Sequence, residues 1–222
     1  MKRIKTPLAR GIFSAVAASI LIATSGNMAA ATLPASLSNA ITEAKHFSSG
    51  QTFTTAKSLV TTFDKTWPSV STYWCAWMAS FFMRGATGLS KTNWTTITSK
   101  TGFSLYSASD VFREVLLHGS LQKVPTAGDF VTYYSASNQT AVNALEKKPS
   151  YKDPAKSDAY LKPFSHCGFV RSVSNGQATI VEGDVGTNTD YTKNVVTVRT
   201  FSYTGTYAYG SMKFAFARPT WE

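Results

Sequence analysis

Among the residues able to do chemistry, Cys75 stands out for where it lies. It belongs to the run Ser71-Thr72-Tyr73-Trp74-Cys75-Ala76-Trp77-Met78-Ala79-Ser80-Phe81-Phe82, which meets no proline or glycine before Gly85. With Thr72 as N-cap, the spacing predicts that Cys75 falls in the first turn of a helix. There the backbone N–H groups lack intrahelical partners and the helix dipole favours an anion. A free thiol has a pKa of about 8.5 and is mostly protonated at neutral pH; a helix N-terminus or a neighbouring imidazolium lowers that value and makes it a nucleophile. A thiol so placed calls for a histidine.

The chain has three histidines. His46 lies in a polar stretch and His118 precedes Gly119 at an expected helix end, so both have ordinary structural explanations. His166 opens Ser165-His166-Cys167-Gly168-Phe169-Val170-Arg171-Ser172-Val173, which is joined through Ser174-Asn175-Gly176-Gln177 to Ala178-Thr179-Ile180-Val181-Glu182-Gly183-Asp184. Two apolar, β-branched runs around Asn-Gly read as a β-hairpin. The turn then decides which face the acids take. A two-residue Asn175-Gly176 turn sets His166 opposite Val185 and turns both acids away from the imidazole. A three-residue turn over Ser174, Asn175 and Gly176 sets His166 opposite Asp184 and diagonal to Glu182. Hairpin chemistry leaves both open.

A cysteine on a helix, a histidine on a strand and a following carboxylate have the logic of a thiol hydrolase. The imidazole takes the thiol proton and a third group fixes its tautomer. At these residues the chain resembles CHAP domains, the papain-like cysteine amidase and peptidase module of peptidoglycan hydrolases. The resemblance is carried by Trp74 to Trp77, by Pro125-Thr126-Ala127-Gly128-Asp129-Phe130-Val131, by Ser165 to Val170 and by Val181-Glu182-Gly183-Asp184, in this order. It spans Ser71 to Gly186. It implies Cys75 as nucleophile, His166 as general base and acid, and Glu182 as the residue orienting the imidazole. The family commonly has an asparagine where this chain has Asp184. That acid can accept from an imidazole N–H but cannot donate as an amide does, which leaves open whether Glu182 or Asp184 touches His166. For the oxyanion hole the sequence offers the backbone N–H of Cys75 and, as a second donor, the side chain of Tyr73. Trp74, adjoining the nucleophile, is the aromatic residue to consider for substrate binding.

The first residues argue for export. Met1 to Arg10 carries four basic residues and no acid, Gly11 to Ala23 is apolar, and Ala29-Ala30-Ala31 suits cleavage, so residues 1–31 read as a signal peptide. The apolar run is shorter than the roughly 20 residues of a bilayer span, and no stable membrane insertion is expected. The expected location is therefore secreted or periplasmic. Removing residues 1–31 takes four of the 22 basic residues and none of the 12 acids, so the net charge falls from +10 to +6. A basic excess suits an anionic polymer such as a cell wall. Without a helix-turn-helix, zinc finger or Lys/Arg-rich tract, nucleic acid is not expected as a partner. No Cys-x-x-Cys pair, His-Glu-x-x-His or phosphate-binding glycine motif occurs, so neither a metal nor another cofactor is expected.

Two cysteines in an exported chain also fit a different reading, a Cys75–Cys167 disulfide in a non-catalytic wall-binding module. Against it, strand alternation sends Cys167 to the face opposite His166 and away from the nucleophile.

About 190 residues beyond the signal are enough for a single core. The expected fold is α+β and papain-like, with N-terminal helices packed on an antiparallel β-sheet. Residues 32–68 form a helical extension, with short helices over Leu37 to His46 and Thr54 to Lys65, and residues 69–222 form the catalytic domain. A further helix is expected over Ser109 to His118. Strands are expected over Pro125 to Tyr134, in the hairpin, and over Val195 to Phe201, Tyr207 to Tyr209 and Met212 to Arg218. Ser135 to Pro163, with three prolines and five lysines, reads as a lid, a substrate-binding insertion or a solvated loop. The function expected is hydrolysis of amide bonds in peptidoglycan, by an N-acetylmuramoyl-L-alanine amidase or an endopeptidase. A general cysteine protease is the alternative enzyme. The partners are cell-wall peptidoglycan or its peptide and, as a candidate, an inhibitor or immunity protein.

Overall fold

A computed structural model describes residues 33–64, 74–86, 108–140, 164–203 and 212–221. Leu33 to Glu222 forms one compact unit. The signal-peptide residues, the Thr72 N-cap, Tyr73, Tyr207 to Tyr209 and most of the Ser135 to Pro163 segment lie outside the described residues.

Four α-helices and six strands are formed by the described residues. The helices are α1 (Ala35–Ala44), α2 (Phe53–Asp64), α3 (Trp74–Phe82) and α4 (Ala108–His118). The strands are β1 (Ser120–Gln122), β2 (Phe130–Ser135), β3 (Phe164–Ser174), β4 (Gln177–Val185), β5 (Val195–Ser202) and β6 (Met212–Arg218). They make a single antiparallel sheet in the order β1-β6-β2-β3-β4-β5. The fold is thus α+β, with the helices gathered on one side. The short edge strand β1 has no signal in the sequence, because three residues cannot display a period.

Helix α3 is apolar all round and is buried all round: each of its nine residues is covered. Its side chains merge with Ala40, Ala44 and Phe47 from the α1 region, Val60 of α2, Val111 and Phe112 of α4, and Cys167, Phe169 and Val181 of the sheet. Phe82 packs against Phe47 and Phe169 at 5.2 and 5.0 Å between ring centres. The other face of the sheet carries Val131, Tyr133, Val170, Ala178, Ile180 and Phe216, the alternate residues of the same strands.

The hairpin between β3 and β4 turns through Asn175 and Gly176, at φ of 50° and 73°, as a two-residue turn with both central residues left-handed requires. Ser174 faces Gln177, and Val173 faces Ala178. The register then slips between Val170 and Ser172, leaving Arg171 as an extra residue. Beyond it Val170 faces Ile180 and Phe169 faces Val181, and the same count carried on brings His166 level with Asp184. The short turn forms, yet the face is the one the longer turn would have set. A second irregularity falls between β2 and β3: Tyr133 faces His166 while Tyr134 faces Phe164, which leaves Ser165 unmatched.

The strand lead-in before β2 is locked by charge. Gly128 takes φ +95°, and the next residue, Asp129, is buried. Asp129 accepts from Arg218 Nε at 2.9 Å and Nη2 at 3.0 Å, and from the Thr126 backbone N–H at 2.8 Å. Burial raises the Asp129 pKa, against the opposing hydrogen bonds from Arg218 and Thr126. The carboxylate ties the β2 entry turn to the end of β6. Asp129→Ala removes the acceptor and strands a backbone donor, so we expect a loss of about 2–3 kcal/mol in urea unfolding. An unchanged midpoint would show the pair to be incidental.

Candidate active site

Three elements meet at one point: the start of α3, the start of β3 and the end of β4. Cys75 is the second residue of α3, within its first turn. Trp74 fixes how that turn sits. Its ring lies over Gly183, where an added Cβ would stand 2.6 Å from the indole, so only glycine lets the helix approach this closely. The indole Nε1 donates to the Tyr191 carbonyl at 3.0 Å. Trp74 is 1% exposed and packs edge-on against Phe53. This corrects the expectation of a substrate-binding Trp74: its indole is an anchor in the core.

Asp184 binds the same helix start. It accepts from the Trp74 backbone N–H and from Asn194 Nδ2 at 2.8 Å. Its φ of 59° is a conformation that aspartate tolerates better than most residues. Burial raises its carboxyl pKa to about 6, against the pull of the Asn194 hydrogen bond.

Glu182 is the acid that reaches the imidazole. His166 Nε2 stands 3.6 Å from Glu182 Oε2, an ion-pair distance longer than an ordinary hydrogen bond. The Glu182 side chain is fully buried, and Tyr133 donates to its other oxygen. Arg199 Nε stands 3.6 Å from the oxygen that His166 faces. Gly168 makes room for this: a Cβ there would come 3.0 Å from Glu182 Cγ and 2.6 Å from Ile180. Tyr133 lies parallel to the imidazole, with ring centres 5.5 Å apart and 17° between planes. Thr132 Oγ1 donates to the His166 carbonyl at 2.9 Å. The histidine is thus fixed on both ring and backbone.

With Nε2 turned to Glu182, Nδ1 is the nitrogen left for Cys75, whose thiol forms a hydrogen bond with His166. The Cys75 pKa is held well below the ordinary thiol value. The leading cause is a hydrogen bond from Cys167; the charge and hydrogen bond of His166 and the Ala76 backbone N–H add to it, and burial opposes. Burial acts to lower the His166 pKa, but the Cys75 and Glu182 charges and hydrogen bonds outweigh it and raise the value to about 10. Both shifts favour a thiolate–imidazolium pair.

Cys167 departs from expectation. Alternation is kept from His166 to Val170, but with Cys167 and Phe169 on the face that packs on α3 and His166 on the face of Tyr133 and Val170, so the Cys167 thiol meets the Cys75 sulfur. The imidazole, beside the helix start, reaches the same sulfur. The two cysteines are free thiols, not a disulfide. Burial, with the neighbouring Cys75 charge, pushes the Cys167 thiol pKa well above its ordinary value, so it stands as a donor.

Comparison of the chain with protein-family models, with curated proteins and with solved structures gives no match.

A cavity of about 330 Å³ opens beside the imidazole, lined by Tyr133, His166, Glu182, Asp184, Arg199 and Met212 among others. No group of three or more His, Cys, Asp or Glu side chains among the described residues is arranged to hold a metal ion. No helix among them is long and apolar enough to cross a membrane. The sequence singled out Cys75, His166, Glu182 and Asp184, and the structure brings all four together. It missed Tyr133, Arg199, Asn194 and the contact from Cys167. Tyr133 and Arg199 read in the sequence as ordinary half-buried strand positions, and only Cys167, next to His166, carried a signal.

Proposed function

We propose that this protein is an exported cysteine hydrolase that cleaves amide bonds in peptidoglycan, through Cys75, His166 and Glu182 on a papain-like framework. The observation that carries the reading is the contact of the Cys75 sulfur with His166, with Glu182 behind the imidazole. The assignment to peptidoglycan rests on the resemblance to CHAP domains and suits the basic charge.

The chemistry follows from the arrangement. The Cys75 thiolate attacks the amide carbonyl carbon, and the developing oxyanion meets backbone N–H groups at the start of α3. His166, protonated, gives its proton to the departing amine as the C–N bond breaks and a thioester forms. Neutral His166 then takes a proton from water, whose oxygen attacks the thioester and restores the thiolate. Glu182 holds the ring so that Nδ1 serves the reaction. Its own position is secured by Tyr133 and Arg199.

Digestion of purified sacculi followed by mass spectrometry of the soluble fragments tests the reading. A new amine on the first residue of the stem peptide identifies an amidase, and a cut within the peptide an endopeptidase. Release of nothing from sacculi, together with cleavage of casein, would replace the cell-wall reading by that of a general cysteine protease.

A further inference from the structure

The mechanism uses one sulfur, and the structure places a second one against it. Cys167 is fully buried, follows the catalytic histidine, lies on the sheet face that packs on α3 in the same buried cluster as Cys75, and donates to the Cys75 sulfur. A donor to the thiolate need not be a thiol; serine would serve as an ordinary hydrogen-bond donor at that position. A thiol adds the capacity to form a covalent bond with its neighbour.

We propose that Cys75 and Cys167 form a reversible disulfide that switches the site off under oxidation and shields the nucleophile from irreversible damage. The two sulfurs have distinct roles. Cys75 keeps 5% of its surface and Cys167 none, so a small peroxide meets Cys75 first. The Cys75 thiolate attacks one peroxide oxygen and the O–O bond breaks. Cys75 is oxidised to a sulfenic acid while the peroxide is reduced, its other oxygen leaving as hydroxide and taking a proton to become water. Cys167 sulfur then attacks the Cys75 sulfur. The S–O bond breaks, the Cys167 proton joins the departing hydroxide as a second water, and the disulfide is complete.

Contact governs the outcome in this second step. With its partner already beside it, the sulfenic acid is captured before a second peroxide converts it to sulfinic acid. Burial raises the Cys167 pKa most and the Cys75 thiolate adds to it; forming the sulfenic acid removes the thiolate's part. A dithiol reductant reverses the bond by exchange.

The proposal rests on the nucleophilic reading of Cys75 but not on the identity of the substrate, so the test is read by mass and thiol count. The full chain is treated with a small excess of hydrogen peroxide, then alkylated in denaturant. The expected result is loss of two hydrogens in mass, no alkylatable thiol, a linked Cys75–Cys167 peptide, and recovery of both thiols with dithiothreitol. In Cys167→Ala and Cys167→Ser the same dose is expected to add two or three oxygens at Cys75, not reversed by dithiothreitol. Wild-type chain that gains those oxygens at Cys75 while Cys167 stays alkylatable would overturn the proposal, and this holds even if neither variant folds. Failure on sacculi with a normal disulfide result would retire the cell-wall reading alone.

Discussion

Cys75→Ala is expected to abolish release of fragments from sacculi, with a fall in rate of at least about 10⁴-fold, while the protein stays folded. No other described side chain at the meeting of α3, β3 and β4 offers a thiolate, so the variant retains only what backbone donors and binding provide. Alanine is the best helix former and the change removes a single sulfur atom, so α3 should persist. Its packing through Trp74, Trp77 and Phe82 does not involve the thiol. The circular dichroism spectrum should match that of the wild type. Retention of a tenth or more of the activity in a folded variant would remove Cys75 from the chemistry.

His166→Ala is expected to separate formation of the thiolate from hydrolysis. In the wild type, the Cys75 pKa is held well below the ordinary thiol value, because Cys167 donates to the sulfur and His166 stands beside it as a cation. Removing the cation leaves burial less opposed, so the thiol pKa rises. Alkylation of Cys75 by iodoacetamide at pH 6 should therefore slow by about tenfold or more. Above the ordinary thiol pKa the two proteins should converge, since both are then ionised. Hydrolysis should be lost at every pH, because no group remains to protonate the leaving amine. In the wild type the alkaline limb of hydrolysis should decline as His166 loses its proton, toward its raised pKa of about 10. Superimposable alkylation profiles for wild type and variant would mean that the imidazole does not govern the sulfur.

Much of this site was legible because its signals are local. A hydroxyl-led apolar run makes a helix with Cys75 in its first turn, and Asn-Gly between β-branched runs makes a hairpin whose strands carry His166 and Glu182. Helix boundaries for α1, α2 and α4 fell within two residues of the periodicity. Trp74 was misread because adjacency in sequence is not adjacency on a helix: successive residues point about 100° apart, so the neighbour of a nucleophile can face the core. The role of Cys167 was misread because His166 was taken to be the residue facing α3. Alternation is unbroken from His166 to Val170, and it puts Cys167 on the face that the helix covers.

The sequence by itself determined the local placement, a cysteine on a helix start and a histidine and a glutamate on one hairpin, because turn chemistry and periodicity act over a few residues. Tertiary structure alone decided which acid faces the imidazole, where Asp184 binds and that a second sulfur joins the first. The first follows from a single-residue slip in strand pairing, and the last from which face of the sheet α3 covers. A slip is stabilised by packing from distant parts of the chain, as when bulged Arg171 reaches the Phe47 carbonyl and the Trp74 ring covers Gly183. No window along the chain contains both halves of such a contact.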